Sequence, residues 1–348
     1  MRWALAPVHA AALATGAKSF RDNPVIGSPT LNRLGLHAAR SRLAAEMADR
    51  RRRRLAVLVD AADAAAFARD GFVIKTDFLP SELFSSLQEQ LAGLRAPARD
   101  MLQGDAITRR IPLDGAALAA APAALGLLSD PRWLALIGYV ASVRTRPATY
   151  IQTIFSRVRG DAVDPQTVLH ADTFHATVKA WLFLQDVPED DGPLVYAPGS
   201  HRRTEARLEW ERRRSIVAAE ADFLTSRGSF RVSPAELQDM GYAPARPLAV
   251  PANTLIVADT SGFHARGRSA RPSARTEVWA YARPNPFLPW AGSTPAAASK
   301  LAELRIGAAW AASDARERLG LGRNPWRAAG TLGPRSPPDL SLWPALSR

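Results

Sequence analysis

The sequence predicts an α+β protein with a mostly β core, in which helices flank an antiparallel sandwich or barrel. Helical patterns dominate residues 31–143, whereas short segments rich in β-branched and aromatic residues follow from residue 148, separated by Gly, Pro and Asp. The chain has 348 residues, of which 47% are hydrophobic, so a large core is expected and general disorder is not.

Three segments are predicted along the chain. Residues 1–60 form a basic N-terminal extension with a helix from Leu31 to about Val59. Residues 61–284 form the β-rich domain, interrupted at about 204–240 by a charged, helical insertion. Residues 285–348 form a tail, with a helix over about 298–319 and an irregular Pro/Gly-rich end.

The β-rich domain begins with helices. We expect a helix, a turn at Asp70-Gly71, a short strand, and a second helix for which Ser81 is the predicted N-cap. Residues 115–143 are predicted to be mostly helical, with a break at Asp130-Pro131. The segments predicted to contain strands are TYIQTIFSRV, TVKAWLFLQDV, GPLVYAPGS, RPLAVPANTLIVADTSGF and RTEVWAYARP.

The net charge of +12 is unevenly distributed. Residues 1–60 carry +7, whereas residues 61–200 carry −4. The run Arg50 to Arg54 suggests an anionic partner such as nucleic acid or lipid, but a solvated helix face explains it equally simply and is favoured. No run of eighteen apolar residues occurs, which argues against a transmembrane segment.

Cysteine is absent, which excludes disulfides, a thiolate metal site and a cysteine nucleophile. Any transition-metal site must therefore use histidine and carboxylate ligands. The chain has six histidines, four of which lie in the β-rich half.

The sequence His170-Ala171-Asp172 offers such ligands. Residues i and i+2 of a strand point to the same side, so His170 and Asp172 are placed to bind one metal ion together. His264, at the end of a separate strand-like segment, is the natural third ligand. Two histidines and one carboxylate leave three positions open, as in non-haem Fe(II) oxygenases.

Arg275 begins the next predicted strand, eleven residues after His264. A buried arginine on a neighbouring strand is suited to bind a dicarboxylic cosubstrate through a bidentate pair. Arg271 is the competing candidate, but it lies outside the strand pattern and precedes Pro272 by one residue.

Taken together, these motifs resemble the phytanoyl-CoA dioxygenase family of Fe(II)/2-oxoglutarate oxygenases. The resemblance covers about residues 62–284 and depends mainly on HADTFHATVKAWLFLQDVPEDDGPLVYAPGSHRR. Within that segment, the family pattern includes the His-x-Asp pair, the strand with Trp181, the acidic loop ending at Leu194, and the turn Pro198 to His201.

The resemblance implies a double-stranded β-helix, the jelly-roll or cupin-like fold, with flanking helices. It implies that His170, Asp172 and His264 bind Fe(II), that Arg275 binds the far carboxylate of 2-oxoglutarate, and that O2 is the second cosubstrate. Gln152, in the first barrel strand, is placed to contact 2-oxoglutarate. The expected reaction is hydroxylation of a small molecule with release of succinate and CO2, because related halogenases lack the carboxylate that Asp172 supplies.

Several residues near these motifs have two interpretations. His175 either lines the site or is a polar strand-end residue, and the turn containing His201 is expected to be structural. Trp181 is expected to be a core aromatic residue, although stacking near the cosubstrate is the alternative. Arg266 and Arg268, beside His264, either meet an anionic substrate or face solvent.

Two other function classes remain open at this stage. One is a ligand-binding β-helix protein without catalysis, and the other is a nucleic-acid- or lipid-binding protein that acts through residues 31–60. The presence of His170, Asp172, His264 and Arg275 together argues against a binding protein without catalysis. A cytoplasmic location is expected, because 2-oxoglutarate and reduced iron are present there. The sequence identifies neither the substrate nor the oligomeric state.

Overall fold

The structure is a computed structural model that describes residues 6–159, 162–292 and 295–343. Its described α-helices are α1 (Ala6–Ala11), α2 (Pro29–Arg33), α3 (Leu36–Leu55), α4 (Ala61–Asp70), α5 (Ser81–Gly93), α6 (Gly115–Ala120), α7 (Pro122–Ser129), α8 (Pro131–Ala141), α9 (Glu205–Val217), α10 (Phe223–Ser226), α11 (Pro234–Asp239) and α12 (Pro295–Arg318). Its described strands are β1 (Phe72–Lys75), β2 (Ala96–Gln103), β3 (Ala106–Pro112), β4 (Ala148–Ser156), β5 (Val178–Phe183), β6 (Leu194–Tyr196), β7 (Arg246–Leu248), β8 (Leu255–Asp259), β9 (His264–Arg266), β10 (Ser273–Ala282) and β11 (Arg327–Leu332).

The strands form two antiparallel sheets. The larger sheet has the order β1-β8-β5-β10-β4-β3-β2-β11, and the smaller sheet has the order β7-β6-β9. Strands that are far apart in sequence therefore lie side by side, as β10 does between β4 and β5. This arrangement confirms the predicted fold class, a mostly β core of jelly-roll type with flanking helices.

Alternation along each central strand separates the two faces of the large sheet. Ala180 and Leu182 of β5 pack into the core that the sheet shares with helices, which includes Trp133 and Ile137 of α8. The intervening Trp181 belongs to a second core on the opposite face, between the large and small sheets. The helices thus cover one face and leave the other for the space between the sheets.

One pair of strands was not predicted, and two local predictions were wrong. Strands β2 and β3 occupy residues 96–112, where no strand was expected, and they extend the large sheet beyond β4. The predicted irregular tail contains β11, which pairs with β2, because an unpaired sheet edge offers hydrogen bonds to a short segment of any composition. Ser81 is the first helical residue rather than the cap, since Pro80 holds the N-cap position without a side-chain bond.

The N-terminal segment packs closely on the β-rich domain. Arg51 of α3 is buried, and its guanidinium donates to the carbonyls of Ser142, Pro286 and Leu288. Arg52 is also buried and binds Asp259 of β8 with an N–O distance of 2.9 Å. The run Arg50 to Arg54 is therefore only in part a solvated face, because helix periodicity turns its second and third residues toward the domain.

The insertion between β6 and β7 contains α9, α10 and α11. Trp210 of α9 packs with Phe230 and Phe263 and with Phe20 of the N-terminal segment in a separate apolar cluster. Ala171, which lies between the predicted ligands His170 and Asp172, also belongs to this cluster, so the insertion packs against the segment that carries these ligands. In the described residues, none of the helices combines the length and the apolar character needed to cross a membrane.

Candidate metal centre and its cavity

His170 and His264 lie next to each other although they are distant in sequence. The backbone N–H of each residue donates to the carbonyl of the other at 2.9 Å, which forms an isolated antiparallel bridge. The two imidazole centroids are 4.6 Å apart. His264 begins β9, whereas His170 and Asp172 lie in the loop before β5, so the pair is set by this bridge and not by a regular strand at residue 170.

The hydrogen bonds of the two imidazoles leave one nitrogen of each ring directed into the cluster. His170 Nδ1 lies 2.7 Å from the carbonyl of Val168, and His264 Nδ1 lies 3.1 Å from the carbonyl of Gly262. A carbonyl only accepts, so both Nδ1 atoms carry the proton and both Nε2 atoms have a free lone pair. Outer-sphere bonds of this kind orient histidines that bind metals.

Asp172 completes the cluster. One carboxylate oxygen is 3.8 Å from His170 Nε2 and the other is 3.8 Å from His264 Nε2. One potential ligand atom from each of the three residues lies within 4.8 Å of the others. The His264 Nε2 atom is buried and has no hydrogen-bond partner among the described residues. A bound cation would satisfy it, so the donor set fits a divalent transition metal.

Two lysines contact Asp172 from different elements. Lys179 of β5 forms an ion pair with the Asp172 carboxylate at 2.7 Å, and Lys18 of the N-terminal segment donates to the Asp172 carbonyl at 2.5 Å. Burial lowers the pKa of Lys18 to about 8. These contacts hold the residue in place on both its side-chain and backbone sides.

The protonation states suit metal binding. Burial lowers the pKa of His264 to about 4 and, together with the charge of His264, places the pKa of His170 well below its ordinary value. Burial alone raises the pKa of Asp172, but Lys179 and the two histidines outweigh it and hold that pKa well below its usual range. At neutral pH the site therefore presents two neutral imidazoles and one carboxylate, which are the forms that bind metals.

Arg275 is buried on β10, on the wall of the same cavity. Its Nε donates to the Glu277 carboxylate at 2.9 Å and its Nη1 donates to the carbonyl of Gly192, which leaves Nη2 for a ligand. Arg271, the competing candidate, is exposed and pairs with Asp190 at 2.7 Å. Of these two arginines, only Arg275 faces the cavity.

Gln152 of β4 also lies on the cavity wall, directly opposite Glu277 in the sheet register. Both ends of its amide contact protein: Nε2 donates to Glu277 at 2.8 Å and Oε1 accepts from Arg110 Nε at 3.0 Å. A direct contact between Gln152 and 2-oxoglutarate stays a prediction, and the structure adds that Gln152 joins Arg110 to the pair of Glu277 and Arg275.

The cavity has a volume of about 330 Å³ and lies between the two sheets. Its lining includes the three candidate ligands and three tryptophans: Trp181 on β5, Trp279 on β10 and Trp326 just before β11. Trp181 is thus shielded from bulk solvent and forms part of the cavity wall. A volume of this order fits small molecules.

The other predicted neighbours have different positions. Arg266 binds Asp164 at 2.7 Å, and Arg268 is exposed. His175 and His201 line a separate open depression of about 740 Å³ between α3 and the turn after β6, away from the three candidate ligands. The larger depression is therefore lined by none of the three candidate ligands.

Sequence reasoning missed Lys179, Arg110 and Trp326. Lys179 could have been found, since it is one of only four lysines and lies two residues before Trp181, on the same strand face. Arg110 and Trp326 carry no local signal, because the strands that place them were not recognised.

Comparison with known proteins identifies the family of this chain. The family model described as phytanoyl-CoA dioxygenase matches residues 67–258, more than half of the chain. The chain therefore belongs to the phytanoyl-CoA dioxygenase family, as predicted. The match ends before His264 and Arg275, which the fold brings to the cavity.

Similar solved structures have low identity. The epimerase SnoN from nogalamycin biosynthesis, described as non-heme and α-ketoglutarate dependent, is 19% identical over 65% of this chain and 82% of its own, with a TM-score of 0.43. HygX from Streptomyces hygroscopicus, with nickel and 2-oxoglutarate bound, is 20% identical over 64% and 86%, with a TM-score of 0.41. EctD from S. alaskensis with bound Fe is 15% identical over 64% and 76%, with a TM-score of 0.38. None of the curated proteins matches.

Proposed function

We propose that this member of the family is an Fe(II)- and 2-oxoglutarate-dependent dioxygenase that hydroxylates a small-molecule substrate. The balanced reaction converts substrate R–H, 2-oxoglutarate and O2 into R–OH, succinate and CO2. The observation that carries the proposal is the cluster of His170, Asp172 and His264, whose donor atoms lie within 4.8 Å of one another.

The ligand set favours iron over other metals. Two imidazoles and one carboxylate on one side of a metal leave adjacent positions for a chelating cosubstrate and O2, whereas structural zinc sites use four protein ligands. When bound, Fe(II) supplies the O2 and electron-transfer chemistry that protein side chains lack. Family membership supports the same cofactor pair.

The residues of the chain supply position and charge. The carbonyls of Val168 and Gly262 fix the histidine tautomers, and Lys179 keeps Asp172 ionised before metal binds. Arg275 would bind the far carboxylate of 2-oxoglutarate through its free Nη2, while Glu277 keeps the guanidinium from turning away. Trp181 and Trp279 add apolar surface to a cavity wall that is otherwise largely polar.

Hydroxylation is the proposed outcome because Asp172 occupies the ligand position that related halogenases leave for a halide. The small-molecule substrate is supported by the cavity of about 330 Å³, which is too narrow for a folded macromolecule. We place this activity in the cytoplasm, where both 2-oxoglutarate and reduced iron occur.

The test uses anaerobic titration of the full chain with Fe(II) and 2-oxoglutarate. Wild-type protein is expected to develop the visible charge-transfer absorption of Fe(II) chelated by a 2-oxo acid, and to release succinate when O2 and a substrate panel are added. Asp172→Ala is expected to lose both signals. Asp190→Ala removes an exposed carboxylate from the loop between β5 and β6, away from the three candidate ligands, and is the matched control.

Two results would contradict the proposal. Absence of the absorption band in correctly folded, iron-loaded wild type would remove the metal assignment. A band without succinate release for any member of a broad panel would favour a ligand-binding protein that keeps the fold but lacks turnover.

A further inference from the structure

Arg110 of β3 lies on the wall of the cavity, and it forms no ion pair with the described residues. Its Nε donates to Gln152, and this is its one side-chain hydrogen bond within the described residues. No carboxylate oxygen of those residues lies within ion-pair distance of it, and both Nη atoms are left without a protein acceptor. Its side chain is only partly buried, because it borders the cavity.

The other cations of the cavity differ in this respect. Lys179 pairs with Asp172 at 2.7 Å, Arg266 with Asp164 at 2.7 Å, and Arg275 with Glu277 at 2.9 Å. A cation withdrawn from water is costly unless an anion compensates it. Within the described residues Arg110 has no direct ion pair. The Glu277 carboxylate reaches it only through Gln152, so the free edge of the guanidinium points to an anion supplied by a ligand.

The guanidinium is held in one orientation. Its central carbon lies 3.8 Å from the ring centroid of Trp279 and 4.6 Å from that of Trp326, and the Gln152 amide fixes its Nε. The free edge with both Nη atoms matches the two oxygens of a carboxylate, and aromatic stacking keeps this edge from rotating. The same rings offer flat apolar surface to the rest of a ligand.

Trp326 is held in this position by the C-terminal segment. Arg99 of β2 binds the Asp314 carboxylate of α12 at 2.5 and 2.7 Å and also donates to the Trp326 carbonyl at 3.2 Å. Residues that lie outside the matched family region therefore shape this part of the cavity. Such a wall is suited to determine which substrate is accepted.

We infer that the substrate is an organic acid with an aromatic or flat apolar body, whose carboxylate binds the free edge of Arg110 beside Trp279 and Trp326. This inference depends on the proposed function in one respect, since it takes the cavity as the substrate site. The far carboxylate of 2-oxoglutarate is the other possible anion. The strand order favours the substrate over 2-oxoglutarate as the anion at Arg110. Lys179, which pairs with Asp172, lies on β5, and Arg275 lies on the adjacent β10, so Arg275 is closer in the sheet to the candidate metal ligands. Arg110 lies on β3, two strands beyond β10.

The experiment measures binding of matched acids and amides to the full chain by isothermal titration calorimetry, with and without Zn(II) and 2-oxoglutarate. The probes are 3-phenylpropionate with 3-phenylpropionamide, and indole-3-acetate with indole-3-acetamide. At least one acid is expected to bind about ten-fold or more tightly than its amide. Arg110→Gln is expected to reduce this ratio to near one, whereas Arg54→Gln, at an exposed position on α3, is expected to leave it unchanged.

A second variant separates the effect of the positive charge from that of the planar guanidinium edge. Arg110→Lys keeps the cation but loses the planar edge, so an intermediate ratio is expected, and circular dichroism establishes that each variant is folded. The inference is overturned if no acid is preferred by the wild type, or if Arg110→Gln keeps the preference. It is also overturned if Arg110→Gln weakens 2-oxoglutarate binding as much as Arg275→Ala, since the carboxylate at Arg110 then belongs to the cosubstrate. Acid selectivity without succinate release would leave this inference standing while the dioxygenase proposal fails.

Discussion

His170 and His264 exchange both of their backbone hydrogen bonds, N–H to carbonyl, at 2.9 Å in each direction. The exchange places two neutral imidazoles side by side, each with Nε2 directed toward Asp172. The relative position of the two proposed ligands is thus set by the backbone rather than by flexible side chains. A preorganised donor set of this kind binds a metal with little rearrangement.

Removal of either imidazole should therefore weaken metal binding strongly. We expect His264→Ala to lower the affinity for Fe(II) or Ni(II) by more than about 100-fold, since loss of a ligand should exceed the 10–100-fold effect of outer-sphere changes. His9→Ala, at a residue that does not line the cavity, is the control and should bind as the wild type does. Equal affinity of His264→Ala and wild type, measured by equilibrium dialysis, would show that this residue is not a ligand.

Arg275→Ala should raise the 2-oxoglutarate concentration needed for half-maximal succinate release by about ten-fold or more, because a charge-assisted pair with the far carboxylate is lost. Metal affinity should change little, since Arg275 contacts Glu277 and Gly192 rather than the three proposed ligands. Arg271→Ala serves as the comparison at an exposed position. If the requirement rises in that variant instead, the cosubstrate clamp has been assigned to the wrong arginine.

Arg52 should contribute strongly to stability. It pairs with the buried Asp259, which in turn accepts from the backbone N–H groups of Thr177 and Ser261 near the site. Arg52→Ala leaves that buried carboxylate without its ion-pair partner, so we expect the free energy of unfolding to fall by about 3–5 kcal/mol. The adjacent Arg53 is exposed, and Arg53→Ala should change it by less than about 0.5 kcal/mol. Urea unfolding of both variants provides the measurement, and similar values for the two would refute the structural role of Arg52.

Stability should decrease as the pH falls below about 6.5, in part because of His201. Burial lowers its pKa to about 3 in the folded state, whereas the unfolded chain has the ordinary value near 6.5. Between these values the unfolded state binds one more proton, so the free energy of unfolding rises with pH by up to about 1.4 kcal/mol per unit for this residue and levels off above 6.5.

The variant His201→Leu isolates this contribution from those of the other buried histidines. Its unfolding free energy, measured in urea between about pH 6 and pH 5, should depend less on pH than that of the wild type. An identical slope in the two proteins would mean that His201 is protonated in the folded state. Phe67, whose ring centroid lies 5.0 Å from that of His201, provides apolar contact for the replacement.

Much of the fold could be predicted from local patterns. The strands β4, β5, β8 and β10 were recognised because their buried, β-branched and aromatic residues are bounded by Gly, Pro and Asp. Strands β2 and β3 were missed because arginines interrupt their pattern. Arg109 is fully buried against Asp100, and Arg110 faces the cavity, so charge did not mean exposure in this segment.

The sequence by itself restricts the donors that a transition-metal site in this protein could use. Without cysteine, a transition-metal site has to use histidine and carboxylate, and the spacing of His170 and Asp172 places both within reach of one ion. Family membership likewise follows from the order of the motifs along the chain. These features depend on residues close together in the chain, so they can be read from the sequence without knowledge of how the strands are ordered in the sheet.

The three-dimensional arrangement establishes which distant residues share the cavity. It places His264 against His170, pairs Glu277 with Arg275 and Gln152, and closes the wall with Trp326 from beyond the family region. It also turns Arg51 and Arg52 inward, so the basic N-terminal run is partly structural. The physical reason is that hydrogen bonding between strands and burial between layers depend on residues far apart in sequence, which no single segment encodes.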